Sequence, residues 1–440
     1  MTDETADTTL ANADIHAALE EAREAYVTAA PRSLARYVEA TTVMPGGNTR
    51  TVLHYAPFPL AMAHAEGCRL WDADGRVFID FLGEYTAGLY GHSHPVIRGA
   101  IDRALDGGIS LGAVNMMEAR FARAVCDRFD LERVRFTNSG TEANLLAILA
   151  GRRFTRRSKV MEFYGSYHGA VLGFAGGGSP VNVPFETIVA PYNDIETTRR
   201  LISEDLALAI LEPMIGSGGC IPASPAFLAM LRAETTRVGA LLILDEVMTS
   251  RLAPGGLQSV AGIKPDLTTL GKYLGGGMSF GAFGGAAEIM DLFDPRRPDA
   301  LPHAGTFNNN ILSMTAGLAG LTEVYTAEAA AALNARGDAL RDRLNALCHA
   351  AGAPMQFTGI GSMLAVHMTR DTVTSPEVAA RANPKLKELF FFDMLSHGIW
   401  LARRGMMALS LPIGDAECDA LANAVSEFLG VRASLLISNG

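Results

Sequence analysis

Cysteine is sparse in this sequence, with five in 440 residues: Cys68, Cys126, Cys220, Cys348 and Cys418. They are scattered, odd in number and form no Cys-x-x-Cys pair, which excludes the usual patterns of a disulfide framework or a structural zinc site. Long apolar runs are missing too; none approaches the ~18 residues that a membrane helix needs. Positive charge is in deficit, Lys+Arg 37 against Asp+Glu 47, a net charge of −10. That balance argues against nucleic acid or an anionic membrane as partner. The opening MTDETADTTL lacks the basic and apolar regions of a secretory signal. Charged residues make up only 19% and hydrophobic residues 49%, so general disorder is excluded. What is left is a soluble, cytoplasmic α/β enzyme, and at ~100–200 residues per domain it has two or three domains. Lysine is the scarcest chemical resource. Only Lys159, Lys264, Lys272, Lys385 and Lys387 are present, so 37 − 5 = 32 basic residues are arginine.

Apolar spacing predicts a helix over residues 13–43, ended by Met44-Pro45-Gly46-Gly47-Asn48. Gly67 to Leu82 alternates about the turn Ala73-Asp74-Gly75 and reads as a hairpin, followed by a helix over Pro95–Leu105. From residue 133 short apolar runs alternate with helical segments. The expected strands are Val134–Thr137, Lys159–Phe163, Thr187–Ala190, Ala207–Leu211, Leu241–Leu244, Leu267–Leu270 and Phe280–Gly284. Such alternation builds a mostly parallel sheet with right-handed crossovers. After residue 312 come helical patterns over Ser313–Tyr325, Thr326–Ala351 and Ala380–His397. Short strands are expected at Met363–His367, Ile399–Ala402 and Ala408–Leu411, giving a second, smaller α+β unit.

Four segments can carry chemistry. In Thr137-Asn138-Ser139-Gly140-Thr141-Glu142-Ala143-Asn144 a strand runs through a small polar turn into a helix starting at Thr141. It is either an ordinary N-cap or an anion site of backbone amides and hydroxyls. Leu241–Glu246 ends in two carboxylates at a strand's C-terminal edge, where ligands bind in open α/β sheets. A carboxylate there is either a solvated turn or a partner for a buried cation or metal. In Leu270-Gly271-Lys272-Tyr273-Leu274-Gly275 a lysine follows a strand among apolar residues. Desolvation lowers its pKa and suits it to Schiff-base chemistry. The other four lysines have poorer contexts, Lys385 and Lys387 lying in a polar helical segment. Phe163-Tyr164-Gly165-Ser166-Tyr167-His168-Gly169 offers an aromatic and an imidazole at a strand end, for stacking or for packing under a loop. His92 and His94 have no third ligand beside them, so no metal site is expected.

Taken together, an anion site, a carboxylate, a lysine and a stacking aromatic at successive strand ends describe the needs of one cofactor. Pyridoxal 5′-phosphate uses a lysine Schiff base and an acidic partner for its pyridinium nitrogen.

At this point the chain resembles a known family, the class III aminotransferases of the fold-type-I pyridoxal-phosphate enzymes, from about residue 30 to the end. The motifs that carry the resemblance are Asn-Ser-Gly-Thr-Glu-Ala-Asn, Tyr-His-Gly, Glu-Pro-Met, Asp-Glu-Val-Met-Thr, Leu-Gly-Lys-Tyr-Leu-Gly-Gly-Gly and Gly-Thr-Phe-Asn-Asn-Asn. The resemblance implies Lys272 as the Schiff-base lysine and Asp245 as the pyridinium partner. It implies Ser139, Gly140 and Thr141 as the phosphate cup, Tyr167 and Val247 against the two ring faces, and Thr306 reaching the phosphate of a neighbouring subunit in a homodimer. The implied domains are a large cofactor domain over 81–312 and a small domain from 1–80 and 313–440.

Within the family the wording is similar to the β-amino-acid aminotransferases acting on β-phenylalanine, at Met44–Leu53, Tyr55–Leu60, Glu84–Gly88 and Ser250–Pro254. The general pattern also resembles glutamate-1-semialdehyde aminomutase. The β-phenylalanine likeness implies a donor carboxylate on Arg50, an α-carboxylate on Arg404, and Tyr85 in the substrate pocket. Where that subgroup has Ser-Pro-Arg-Gly this chain reads Ala402-Arg403-Arg404-Gly405, so either arginine can point inward. The implied reaction is ping-pong transfer from an aromatic β-amino acid to 2-oxoglutarate or pyruvate. Aminomutase and ω-transaminase chemistry are the alternatives.

Overall fold

The computed structural model describes residues 14–439; the acidic N-terminal segment lies outside them. Seven strands form the central sheet: β1 (Arg133–Thr137), β2 (Lys159–Phe163), β3 (Thr187–Ala190), β4 (Leu206–Leu211), β5 (Leu241–Asp245), β6 (Leu267–Gly271) and β7 (Gly281–Gly285). Their spatial order is β1-β7-β6-β5-β4-β2-β3. All neighbours pair in parallel except β7, which runs antiparallel to both β6 and β1. Strands β4, β5 and β6 are buried at every position, as sheets covered on both faces require. The expected strands therefore hold to within a residue at either end, and the fold is the α/β type that the sequence implied.

The helical expectations need correcting in places. Residues 13–43 are not one helix but two, α1 (Ile15–Ala29) and α2 (Pro31–Thr41). Pro31 has no amide hydrogen for the helix ladder and pushes Ala30 out of helical geometry, to φ −131° and ψ 47°. The helix expected over Ser313–Tyr325 begins at Ile311 and loosens into a π-turn over Gly320–Val324. The one expected from Ala380 starts instead at Pro384, again a proline at the first helical position. The last strand is Met406–Ala408 rather than Ala408–Leu411. Beyond Ala408 the chain bonds to single loop residues, Leu409 N–H to Ser362 and Leu411 N–H to Leu89. A strand at Met62–Glu66 and a helix at Met116–Phe129 were not foreseen.

The two ends of the chain meet in one small sheet. Strand Ile399–Trp400 pairs in parallel with Val77–Asp80, the second strand of the foreseen hairpin. One buried arginine ties these parts to the central body. Arg251 is fully buried and donates to Ser362 Oγ at 3.2 Å, to the carbonyl of Thr86 at 3.2 Å and to that of Leu409. Its own carbonyl accepts from Tyr325 and Asn334. A guanidinium's rigid fork of five donors suits such a junction, where no single strand could reach every segment.

Helix α3 (Gly140–Thr155) covers the sheet, and α4 (Ala327–Ala350) covers the C-terminal strands. Gly337 lies in the interior of α4, where alanine is the better helix former by ~1 kcal/mol. A Cβ there would stand 2.0 Å from the carbonyl oxygen of Gly361 and 2.8 Å from Ser362 Cα. Overpacking against rigid backbone costs about 1–3 kcal/mol, more than the propensity gain. Gly337→Ala is expected to destabilise the fold by about 1–2 kcal/mol, read as a lower Tm in calorimetry. An unchanged Tm would show that α4 yields at this contact.

Candidate active site

The C-terminal ends of β1, β2, β4, β5 and β6 surround a cavity of about 550 Å³. Asp245 is the last residue of β5, and its register partner on β6 is Thr269, three residues before Lys272. Carboxylate and amine thus leave adjacent parallel strands at the same edge. Lys272 has φ +57°, a left-handed conformation that costs a non-glycine residue of order 1 kcal/mol. The kink turns its side chain into the cavity instead of along the strand. Burial, then the positive charges of Arg50 and Arg404, push the Lys272 amine down to about 8.

Asp245 is buried, so every lone pair needs a partner. Oδ1 accepts from the Val247 amide at 2.9 Å. Oδ2 accepts from Asn144 Nδ2 at 2.8 Å and lies 2.7 Å from His168 Nδ1. Asn144 is itself fixed, its Oδ1 accepting from Thr269 Oγ1 at 2.6 Å. The far nitrogen of His168, Nε2, lies 3.2 Å from Glu162 Oε2. Burial alone would lower the pKa of His168, but the flanking carboxylates of Glu162 and Asp245 outweigh it and hold the imidazole well above its ordinary value. A protonated histidine behind Asp245 holds that carboxylate in place at the cavity through the contact at Oδ2.

The turn after β1 enters α3 at Gly140, one residue earlier than expected, with Ser139 as N-cap; its Oγ accepts from the Glu142 amide at 3.2 Å. The first amides of a helix have no intrahelical acceptor and carry positive partial charge. They open into the cavity beside Thr141. Gly169, at φ +133°, closes the Tyr167–Gly169 loop over this turn; a Cβ there would stand 2.3 Å from Thr141 Oγ1. Tyr167 stands half exposed at the cavity, its amide anchored on Glu212 at 2.9 Å. Val247 forms another wall, in contact with Gly140.

The outer rim is cationic. Arg50 and Arg404 lie over the Tyr85 ring, at 5.6 and 5.1 Å from its centroid. Arg50 also forms an ion pair with Glu84. Arg404 is half-buried over the Tyr85 ring, whereas Arg403 is exposed, lies 3.8 Å from Glu388 and borders the recess shared with Tyr85. Gly83, Glu84, Tyr85 and Thr86 have φ of +54°, +47°, +53° and +81°. Four consecutive left-handed residues, three of them bearing side chains, form the turn that sets Glu84 and Tyr85 between the arginines.

Of the residues singled out from sequence, the cavity gathers Ser139, Gly140, Thr141, Tyr167, Asp245, Val247, Lys272 and Arg50. Tyr85 and Arg404 border adjoining recesses. Thr306 does not line the cavity of its own chain and is exposed. Sequence reading gave no role to Asn144, His168, Glu162, Glu84 or Glu212. Three of them stood inside motifs already noted: Asn144 closes the Asn-Ser-Gly-Thr-Glu-Ala-Asn run, His168 lies in Tyr-His-Gly and Glu212 in Glu-Pro-Met. Glu84 opened the noted Glu84–Gly88 segment, and Glu162 gave no such signal.

Comparisons with known proteins agree with this geometry. The family profile "Aminotransferase class-III" matches residues 52–429. The chain is 52% identical over 431 residues to beta-phenylalanine transaminase of Variovorax paradoxus, covering 97% of this chain and 99% of that protein. The crystal structure of a beta-phenylalanine aminotransferase from Variovorax paradoxus superposes with a TM-score of 0.95 at 52% identity, over 96% of this chain and 99% of that one. Glutamate-1-semialdehyde 2,1-aminomutase of Heliobacterium modesticaldum is 36% identical over 427 residues, covering 92% of this chain and 98% of that protein.

The depressed basicity of Lys272 can be tested without any ligand. In the cofactor-free protein, acetic anhydride labelling at graded pH followed by peptide mapping should give Lys272 a midpoint near pH 8. Only the neutral amine attacks, so reactivity rises as pH climbs through that value. Lys264, whose ammonium is stabilised by Asp130, should need a higher pH than an ordinary lysine. A Lys272 midpoint in that same high range would contradict the electrostatic account.

Proposed function

We propose a reaction for this chain, which belongs to the class-III aminotransferases and uses pyridoxal 5′-phosphate as its cofactor: it moves the amino group of an aromatic β-amino acid to 2-oxoglutarate or pyruvate. The substrate assignment draws on the likeness to the Variovorax enzyme. One observation carries it here: two guanidiniums, not one, flank Tyr85 close enough to depress the Lys272 amine.

The cavity residues fit the cofactor. A buried carboxylate backed by a protonated histidine suits a ring nitrogen that must stay protonated. Free helix amides with Ser139 and Thr141 suit a phosphate. When bound, the cofactor supplies an electrophilic carbon and an electron sink. In this reading Asp245 holds the ring nitrogen, Ser139, Gly140 and Thr141 hold the phosphate, and Tyr167 and Val247 enclose the ring. Lys272 would hold the cofactor covalently and, with its lowered pKa, would be the residue that accepts and returns a proton in the cavity. Its lowered pKa leaves a usable fraction of neutral amine near pH 8 for that transfer.

The carboxylates are the second problem of such a reaction. A β-amino acid carries its carboxylate one carbon further from the reacting amine than an α-amino acid does, and both must be held in one pocket. Arg50 takes the donor carboxylate by exchanging it for Glu84, and Arg404 takes the α-carboxylate of the 2-oxo acid. A planar guanidinium grips each through two charge-assisted bonds.

We read the functional unit as a cytoplasmic homodimer in which Thr306 of the partner subunit completes the phosphate site. Residues 81–312 then form the cofactor domain and the two terminal segments the small one. Five unpaired cysteines suit a reducing compartment, and no helix among the described residues is long and apolar enough to cross a membrane. Leu111, Val114, Met116 and Phe307 are each more than half exposed. They belong to two segments stitched together by Asn309 and Asn115. An apolar patch of this kind on a soluble chain is a contact surface.

The reading is tested by half-reactions followed at the cofactor's absorbance band. β-Phenylalanine should convert the wild-type holoenzyme, and a 2-oxo acid should restore it with net consumption of that acid; an aminomutase would consume none. Losing a charged hydrogen-bond partner costs roughly 1.5–3 kcal/mol, about ten- to a hundredfold in specificity constant. Arg50→Ala should lose that factor in the donor half and Arg404→Ala in the acceptor half. Equal slowing of both halves in both variants would refute the division. In sedimentation at assay concentrations the active protein should be a dimer and Phe307→Asp should shift it toward monomer; a fully active monomer would end the shared-site reading.

A further inference from the structure

Behind Tyr167 the cavity adjoins a second recess of about 420 Å³. Tyr167 lines both spaces. The walls of the recess are close-fitting backbone: a Cβ on Gly165 would meet the Pro376 ring at 2.5 Å, and one on Gly219 the His367 ring at 2.6 Å. Two cations open into this recess. One is Arg404, whose Nε is buried without a hydrogen-bond acceptor and whose Nη2 contacts only the sulfur of Met406, at 3.5 Å. The other is Lys387, in helix α5 (Pro384–Ser396). The polar surface position expected for Lys387 is thus corrected: its side chain turns inward, between the buried Leu386 and Leu389. Its neighbours on the sequence are satisfied, since Lys385 meets His16 and Glu388 meets Arg23 and Arg403. Neither Lys387 nor Arg404 is in an ion pair among the described residues.

Two neutral groups in the same walls also lack partners. Ser166 is 1% exposed and its hydroxyl is unbonded. His367 is fully buried. Its Nε2 lies 3.0 Å from the carbonyl of Gly219, which can only accept, so Nε2 carries the hydrogen and Nδ1 is a bare acceptor. Burial, and next the charge of Lys387, push His367 down to about 4, so it remains neutral. Two unpaired cations and a free hydroxyl in one small recess are costly unless an anion visits.

We propose that Lys387, with Ser166, forms an anion subsite for the distal carboxylate of a dicarboxylic 2-oxo acid, the acceptor's α-carboxylate lying on Arg404. The site makes Lys387 a specificity-determining residue that favours a five-carbon dicarboxylic acceptor over pyruvate, which has nothing to place there. The proposal rests on the transaminase reading for its substrate, but not for its anion chemistry.

The test uses the pyridoxal-phosphate holoenzyme with Lys387→Met and Lys387→Arg, each checked for folding by Tm and cofactor absorbance. Calorimetry measures binding of glutarate, a dicarboxylate that cannot react, and of butyrate, its monocarboxylate counterpart. Turnover measures the ratio of kcat/KM for 2-oxoglutarate to that for pyruvate. Lys387→Met should weaken glutarate binding and lower the ratio by roughly ten- to a hundredfold, while Lys387→Arg retains most of both. Wild-type protein that binds glutarate no better than butyrate would overturn the proposal. So would a variant in which both acceptors fall together, or neither does. A change confined to the β-phenylalanine half-reaction would assign the recess to the aromatic ring instead, and equally refute it. If no donor supports turnover, the transaminase reading fails, and the glutarate measurement still decides the subsite.

Discussion

The burial of one carboxylate organises this site. A carboxyl group such as that of Asp245, at the end of a strand buried on both faces, is unfavourable unless each oxygen is met by a partner. The chain meets that demand from three directions: the amide of Val247, the amide group of Asn144 from helix α3, and His168 from the loop after β2. Each donor comes from an element that also walls the cavity. Satisfying Asp245 therefore sets α3, with its free amides, and the Tyr167 loop at fixed places around Lys272. Glu162 extends the line one step further, so a row of buried charged side chains runs from the sheet's interior to its edge.

The outer half of the site obeys a different constraint. Rather than burying a charge, it gathers cations beside a lysine that must lose its proton. By repulsion, Arg50 and Arg404 add to burial in lowering the pKa of the Lys272 amine. A carboxylate that neutralises either guanidinium also reduces the pressure on Lys272. Arg50 is paired with Glu84 while Arg404 meets no carboxylate, so the two positions are electrostatically unequal before any substrate arrives. A chain whose relatives include both transaminases and aminomutases can divide along this rim while its inner half stays the same.

Much of this was legible in the sequence because strands buried on both faces leave an unmistakable mark. Leu241–Leu244 is apolar throughout and Leu267–Leu270 sets only two threonines between leucines, and they end abruptly at Asp245 and Gly271-Lys272, so strand, edge and reactive group were readable together. Helix boundaries were less so. The amphipathic rhythm of residues 13–43 runs on across Pro31, and only the three-dimensional break shows two helices. Glu84 and Lys387 escaped for another reason: their importance lies in what they meet, and those partners are remote in sequence. Arg50 is 34 residues from Glu84. Lys387 sits among charged neighbours and reads as solvated until α5 packs it inward. Between Arg403 and Arg404 the sequence could not choose, because the turn ending at Gly405 sets Arg404 over the Tyr85 ring and leaves Arg403 exposed.

The left-handed turn from Gly83 to Thr86 has a practical consequence. A screen that rewards only heat resistance would favour glycine at the exposed Glu84, where the change relieves an unfavourable backbone, but not at the buried Tyr85 and Thr86, where lost packing outweighs that relief. Glycine at position 84 would remove the carboxylate that pairs with Arg50. Selection for hardiness alone would thus strip the rim of its counter-charge while leaving the residues around Asp245 unchanged. Stabilising changes should be sought elsewhere, with this turn excluded from randomisation.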